Sequence, residues 1–232
     1  MTGKFCFIQF SKERSSCDLP VPVKAMSDLK FYIDGIDQLN IDIVNIGGDM
    51  VREFVHSFNY FSTGLDLSAI LAPEDCFRFK LTNKGTNEVF YSNTLVYLPD
   101  CDYPLITYRC DKSEFGFYYS GTQVNSVRIP SVIFKPAYEE EKTSYIDSNG
   151  KERVLFVDVR KKYTFQTDYL PEEWHDKIKV AFSHDLLIID GVEYVERGTY
   201  KILEEYYNLG CEDGYMGETE VAENFVKRNT NC

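Results

Sequence analysis

Residues 183–197 read SHDLLIIDGVEYVER, and the adjacent pair His184 and Asp185 has the form of the metal-binding dyad of a phosphohydrolase. A hydrolytic metal needs several protein ligands and one open position, so the dyad has chemistry only if further His or Asp side chains converge on it. The chain has three histidines. His56 lies in VREFVHSF, an expected strand of the other half, and His175 stands about two and a half helical turns ahead of His184. Enzymes with this dyad carry it on a helix. Here it runs into Leu186-Leu187-Ile188-Ile189, then Asp190-Gly191, then Val192-Glu193-Tyr194-Val195, which reads as strand, two-residue turn and strand. Closing that hairpin sets Leu187 opposite Tyr194 and Ile189 opposite Val192. His184 then falls at the end of the preceding helix, where capping or a dipole contact accounts for it without a metal. The same register sets Asp185 opposite Glu196, a repulsive pair unless the ladder stops short of them.

The remaining candidates for chemistry are no stronger. The seven cysteines, Cys6, Cys17, Cys76, Cys101, Cys110, Cys211 and Cys232, are an odd number without a C-x-x-C pair, as reduced thiols would be, and lack zinc-ligand spacing. Gly-x-Ser-x-Gly is absent, and no helix is expected after Ser120-Gly121 to make a nucleophile elbow. Gly47-Gly48 has no phosphate-binding helix behind it. The acidic turns Asp147-Ser148-Asn149-Gly150 and Glu212-Asp213-Gly214 lack the alternating oxygen ligands of a calcium loop. Carboxylates are too numerous for any two to be singled out as a glycosidase pair. The residues therefore point to a non-enzyme with no catalytic, cofactor-binding or metal-binding residue.

The elements that would position such groups are mostly strands. KFCFIQF, LKFYI, LNIDIVNI, VREFVHSF, DCFRFKL and VFYSNTLVYL are separated by turn residues, and Phe77, Phe79 and Leu81 alternate with Cys76, Arg78 and Lys80 as in a sheet with one wet face. Asn83-Lys84-Gly85 begins a turn that closes a hairpin with VFYSN. At Leu98-Pro99-Asp100-Cys101-Asp102 the pattern breaks, which marks the expected boundary between an N-terminal β domain, 1–98, and a C-terminal β domain, 99–232. The second half continues with PLITYRC, FGFYYSG, VNSVRIPSVIF and a long hairpin over about 137–155, with its tip at Asp147-Ser148-Asn149-Gly150-Lys151. Its ascending arm carries Glu139-Glu140-Glu141-Lys142. In its descending strand Leu155, Val157, Val159, Tyr163 and Phe165 share one face, with Lys161 as the exception. One helix is expected, over about 171–183. Pro171 suits its first position, Glu172 and Glu173 suit its positive end, and Trp174, Ile178, Ala181 and Phe182 form its apolar stripe. Trp174 reads as a core anchor, and His175, on another face, as solvated. The expected fold is mainly β: two small antiparallel β-sandwich-like domains with one short helix packed on the C-terminal sheet.

Composition sets the outer limits. The 232 residues are 44% hydrophobic, enough for one large β core or two small ones, and 17 Phe and 17 Tyr favour pleated strands. The formal charge of −12, without a basic patch, argues against direct nucleic-acid binding. An acidic surface suits a protein that DNA must pass without adhering. The apolar run after Lys4 is too short for a signal-peptide core, and nothing is long enough to span a bilayer. The expectation is a chain that stays in the cytoplasm where it is made, without a membrane partner.

The segment DCFRFKLTNKGTNEVFYSNTLVYLPDCDYPLITYRC resembles virion tail and neck proteins of phages that infect Bacteroidetes, including the crAss-like phages. There a strand of alternating aromatics and basics leads through a hairpin to a YSN strand, an acidic link and a further aromatic strand. KKYTFQTDYLPEEWHDKIKVAFSHDLLIIDGVEYVERGTYKI is similar to them in its order of strand, short helix and hairpin. Together the two cover most of residues 75–203. The resemblance implies a non-enzymatic virion subunit, assembled in the host cytoplasm as a homo-oligomeric ring between portal and distal tail. Other tail or neck proteins would be its partners, and DNA would pass through its lumen without sequence-specific binding. The 137–155 hairpin and the stretch Thr219–Asn229 are the candidate contacts between copies. The competing expectation, from a different class, is a β-sandwich carbohydrate-binding or adhesion module using exposed aromatics.

Overall fold

The computed structural model describes residues 7–13, 19–32, 39–56, 60–61, 63–109, 124–209 and 213–224. In its first part the strands are β1 (Phe10–Ser11), β2 (Val21–Val23), β3 (Phe31–Tyr32), β4 (Leu39–Asn45), β5 (Met50–His56), β6 (Tyr60–Phe61), β7 (Cys76–Asn83), β8 (Val89–Ser92) and β9 (Leu95–Tyr97). One sheet runs β1-β8-β7-β4-β5, β9 joins β7, and β2 lies parallel to β9. A separate two-stranded sheet pairs β3 with β6. The second part holds β10 (Leu105–Arg109), β11 (Asn125–Arg128), β12 (Ser131–Ile133), β13 (Ala137–Ile146), β14 (Glu152–Thr167) and β15 (Leu170–Pro171). The helix α1 (Glu172–Phe182) follows, then β16 (Leu186–Ile189), β17 (Val192–Glu196), β18 (Lys201–Asn208) and β19 (Asp213–Glu223). Its sheet runs β11-β10-β16-β17-β19-β14-β12, with β13 on β14 and with β15 and β18 on β19. The molecule is mainly β, with sheets in both halves and a short helix, as the strand spacing and aromatic content require.

The change of sheet falls between Tyr97 and Leu105, across the acidic link. A single buried cluster nevertheless draws from both sides of that link, from Phe77, Phe79 and Leu81 to Phe165, Phe182 and Ile189. Phe7 meets Tyr108 and Trp174 edge-on. Arg128 pairs with Asp28 at 2.7 Å, and Lys30 bridges Ser126 on the backbone.

Several expected elements are shorter than their sequence runs. VFYSNTLVYL divides into β8 and β9 because the Asn93 side chain turns the chain aside, its Nδ2 donating to the Phe7 carbonyl and its Oδ1 accepting from the Gln9 amide. VNSVRIPSVIF divides at Pro130, which has no amide to give to a ladder. KFCFIQF contributes only Phe10 to β1, its first three residues and FGFYYSG lying outside the described residues. The alternation on β7 holds for Phe77, Phe79 and Leu81, but its other face is not wet throughout. Arg78 is buried, donating from Nη2 to Thr94 Oγ1 at 3.0 Å. A buried guanidinium with a hydroxyl partner reads in the sequence like any solvated strand cation.

The helix has the expected apolar stripe, with Trp174, Ile178, Ala181 and Phe182 all buried. Phe182 tilts against Phe165 of β14 with ring centroids 4.8 Å apart. Pro171 stands one position earlier than the sequence suggests. Its ψ of 153° is extended, so it caps the helix from the end of β15 and Glu172 is the first helical residue. The lost amide costs nothing there, because the first turn's amides have no partners within the helix.

Candidate functional site

The region around His184 forms as the hairpin reading requires. β16 and β17 pair Leu187 with Tyr194 and Ile189 with Val192. Asp190 and Gly191 both take positive φ, 49° and 83°, the primed turn that matches strand twist. Asp190 also accepts the Leu105 amide at 2.8 Å, tying the turn to β10. The repulsive pairing does not arise, because the ladder stops at Leu187. Glu196 instead lies beside Val221 on β19 and accepts from Lys179 of α1 at 2.7 Å. The like-charge conflict vanishes because Glu196 has been recruited to tie the helix to the sheet.

His184 itself sits at the helix end. Its Nδ1 lies 2.6 Å from the Val180 carbonyl, so that nitrogen carries the proton and donates. Its ring stands edge-on to Tyr108 at 5.0 Å. Burial holds its pKa below the usual histidine value, outweighing the Val180 bond and the Asp185 charge. This is a neutral capping imidazole: it closes a helix carbonyl and fills a gap beside β10. Asp185 is exposed. Among the described residues no group of three or more His, Cys, Asp or Glu gathers to hold a metal. Cys76 and Cys101 are free thiols, and burial pushes the Cys76 pKa up, away from nucleophilic reactivity. The other five cysteines, Ser120-Gly121 and Glu212 lie outside the described residues, and of His56 only the backbone is described.

His175 departs from expectation. It is 2% exposed rather than solvated. Its Nε2 donates to the Tyr215 carbonyl at 2.9 Å, which leaves Nδ1 to accept from the Tyr200 hydroxyl at 2.6 Å. Gly217 makes room for this pair, since a Cβ there would stand 2.0 Å from Tyr200 Oη and 2.7 Å from His175 Nδ1. The Gly217 amide donates to Thr167 Oγ1 at 2.7 Å. Burial lowers the His175 pKa and raises that of Tyr200. The partners arrive from the segment before β18 and from β19, 25 and 40 residues away in sequence. The arrangement is closed and satisfied, and it fastens α1 to the sheet. The sequence marks it only by an out-of-place Gly217 inside a strand pattern.

Among the described residues the largest feature that the core does not absorb is the ribbon formed by β13 and β14. Ten residue pairs join the two strands, from Ala137 with Lys162 to Ile146 with Glu152, with a bulge where Leu155 has no partner between Thr143 and Ser144. At the tip the Asp147 carboxylate accepts the Asn149 and Lys151 amides and pairs with Arg153, and Gly150 supplies a φ of 76°. β14 meets β19 only from Lys162 to Gln166. The part farther out pairs with β13 alone among the described residues, and β13 extends roughly 30 Å at the usual rise per residue. Directly opposed residues share a face, so Tyr138, Ile146, Val154, Val157 and Val159 lie on one side, with Leu155 pressed to the same side by the bulge. Their exposures run from 43% at Val157 to 73% at Ile146. The stripe continues inward to Tyr163 and to Phe165, which is fully buried.

The other candidate contact, Thr219–Asn229, does not project where it is described. Thr219, Val221 and Ala222 are buried in β19 between β14 and β17, and residues beyond Asn224 lie outside the described residues. A small cleft of about 200 Å³ lies between Lys24, Met26, Asp66, Leu67 and Tyr97, below the usual size of a small-molecule site. No helix among the described residues is long and apolar enough to cross a membrane. Comparison of the chain with protein-family models, with curated proteins and with solved structures found no match.

Proposed function

We propose that this chain is a non-enzymatic structural subunit of a phage tail or neck, repeated in a ring of identical copies between portal and distal tail, with DNA passing through the lumen. The observation that carries the reading is the β13–β14 ribbon, a two-stranded arm with an apolar side chain series facing outward. A two-stranded hairpin is marginal in water by itself, so an arm of this length suits a protein whose neighbour completes it. In a ring each copy offers one surface and receives another, which an arm on one side of a compact body fits. The order of strands in residues 75–203 and the acidic balance of −12 agree with a virion protein lining a DNA path. Electron microscopy of the purified chain, alone and with neighbouring virion proteins, tests this: closed rings of fixed copy number are expected, and a monomer in every context contradicts it.

A second reading, a carbohydrate-binding module, draws on Tyr206 and Tyr207 of β18, exposed at 64% and 62%. Aromatic faces on a sheet suit sugar stacking. Tyr206 leans on Tyr215 and Tyr207 on Tyr169, however, so each is already paired with another ring, and as successive strand residues the two face opposite sides of the sheet. A glycan array decides between them, since binding lost on Tyr206→Ala favours the module and an empty array removes it.

A further inference from the structure

We infer that the face of the ribbon carrying Tyr138, Ile146, Val154, Leu155, Val157 and Val159 is the surface by which one copy of this chain docks on a second copy. The inference rests on the ring reading for the identity of the partner and on the ribbon's own geometry for the place of contact.

The first argument is area. At their observed exposures the six residues leave roughly 600–700 Å² accessible, at or above the largest patch of a typical monomer and near one partner's share of a standard interface. The second argument is charge. A chain of net −12 repels its own copies. Residues 137–162 nonetheless hold as many Lys and Arg as Asp and Glu, so the ribbon adds nothing to that imbalance. Two copies meeting at the ribbon bring a neutral element against an acidic body, not one acidic surface against another. The third argument is arrangement. On the docking face Glu140 and Lys142 stand opposite Val159 and Val157, so charges of both signs flank the apolar stripe along β13. An apolar centre with a polar border is the anatomy of a protein interface, not of a membrane anchor or an open aggregating edge. Four consecutive charged residues on β13, Glu139 to Lys142, disfavour indefinite edge-to-edge pairing and leave the face as the contact.

The test uses the full chain with Leu155→Glu and Val157→Glu combined, compared with wild type by light scattering and native mass spectrometry across a wide concentration range. Both positions are outside the core, so the variant should fold, and an unchanged near-ultraviolet circular dichroism spectrum checks this. Two buried carboxylates in an apolar contact should weaken association by about 100-fold or more. Val154→Thr, a milder change on the same face, should weaken it by several-fold and guards against an effect of charge alone. An oligomeric wild type with unaffected variants overturns the docking face and leaves the ring reading standing. A two-fold dimer broken by the variants upholds the docking face and overturns the ring. A wild type that stays monomeric at every concentration overturns the docking of copies. Binding of the ribbon to glycans or vesicles by such a monomer assigns the face to that other occupant instead.

Discussion

The inner end of β14, from Lys162 to Thr167, and its outer end, from Glu152 to Lys161, belong to one strand but meet opposite surroundings. Phe165 is fully enclosed, against Phe182 of the helix and beside Thr219 of β19, while Leu155, ten positions earlier on the same side, is 66% exposed. On that side an apolar residue recurs at every second position from Leu155 to Phe165 apart from Lys161, and the bulge adds Val154 beside Leu155. The difference lies in what flanks the strand: β19 and β12 at the inner end, β13 alone at the outer end. A period-two pattern thus shows that a face is meant to be covered, and topology decides whether the cover comes from the chain itself. In this molecule the inner half holds the body together, and the outer half, exposed among the described residues, is the part that we propose a second copy covers.

The sharpest way to break that contrast is to shorten each end in turn. Phe165→Ala should cost about 3–5 kcal/mol in urea unfolding, because an enclosed aromatic leaves a cavity. Leu155→Ala should change the stability of the monomer by no more than about 0.5 kcal/mol, as surface substitutions do. Equal losses at the two positions would mean that the ribbon is part of the folding core.

The next effect concerns how the helix is fastened to the inner sheet. Gly217→Ala sets a methyl where Tyr200 Oη and His175 Nδ1 now lie, so the pair must separate or the strand must shift. A loss of roughly 1–3 kcal/mol is expected by overpacking, read as a lower denaturation midpoint with an unchanged slope. Full stability in this variant would show that the His175–Tyr200 contact is dispensable.

A smaller effect should appear with pH. Burial lowers the pKa of both His175 and His184 in the folded state, so the unfolded chain takes up protons first as the pH falls. Stability from this source is fully present above the ordinary histidine pKa and is lost as the pH falls through that value toward the folded pKa values. Midpoints of urea unfolding should therefore decline on acidification below neutrality, and His175→Gln should flatten the decline. A midpoint that rises over the same window would contradict the burial of these rings. Association through the ribbon, which carries no histidine, should not follow that curve.

How much of this the sequence foretells depends on the range of the forces involved. The β16–β17 register was legible down to the pairs Leu187 with Tyr194 and Ile189 with Val192, because an Asp-Gly turn and a two-residue period are local signals. The helix stripe was legible for the same reason, apart from the position of Pro171 at its start. The fate of Glu196 was not, since its partner Lys179 belongs to a different element. His175 reads as solvated because its helical position lies beside the apolar stripe, and only Tyr200, from the segment before β18, and Tyr215, from β19, enclose it. The hairpin is legible from its Asn-Gly tip, whereas its charged arm reads either as a solvated loop or as a contact element. The bulge at Leu155, which gathers Val154 and Leu155 on one side, has no sequence signal of its own.

The central claim is that the outer half of β14 is covered by a second copy while the inner half is covered by the chain itself. Amide hydrogen exchange of the full chain at low and at high protein concentration tests it most directly. Amides of the inner segment, Lys162 to Thr167, should be protected equally at both concentrations, whereas protection over Ala137 to Val159 should rise with concentration. A ribbon that exchanges at the same rate at every concentration would contradict the account.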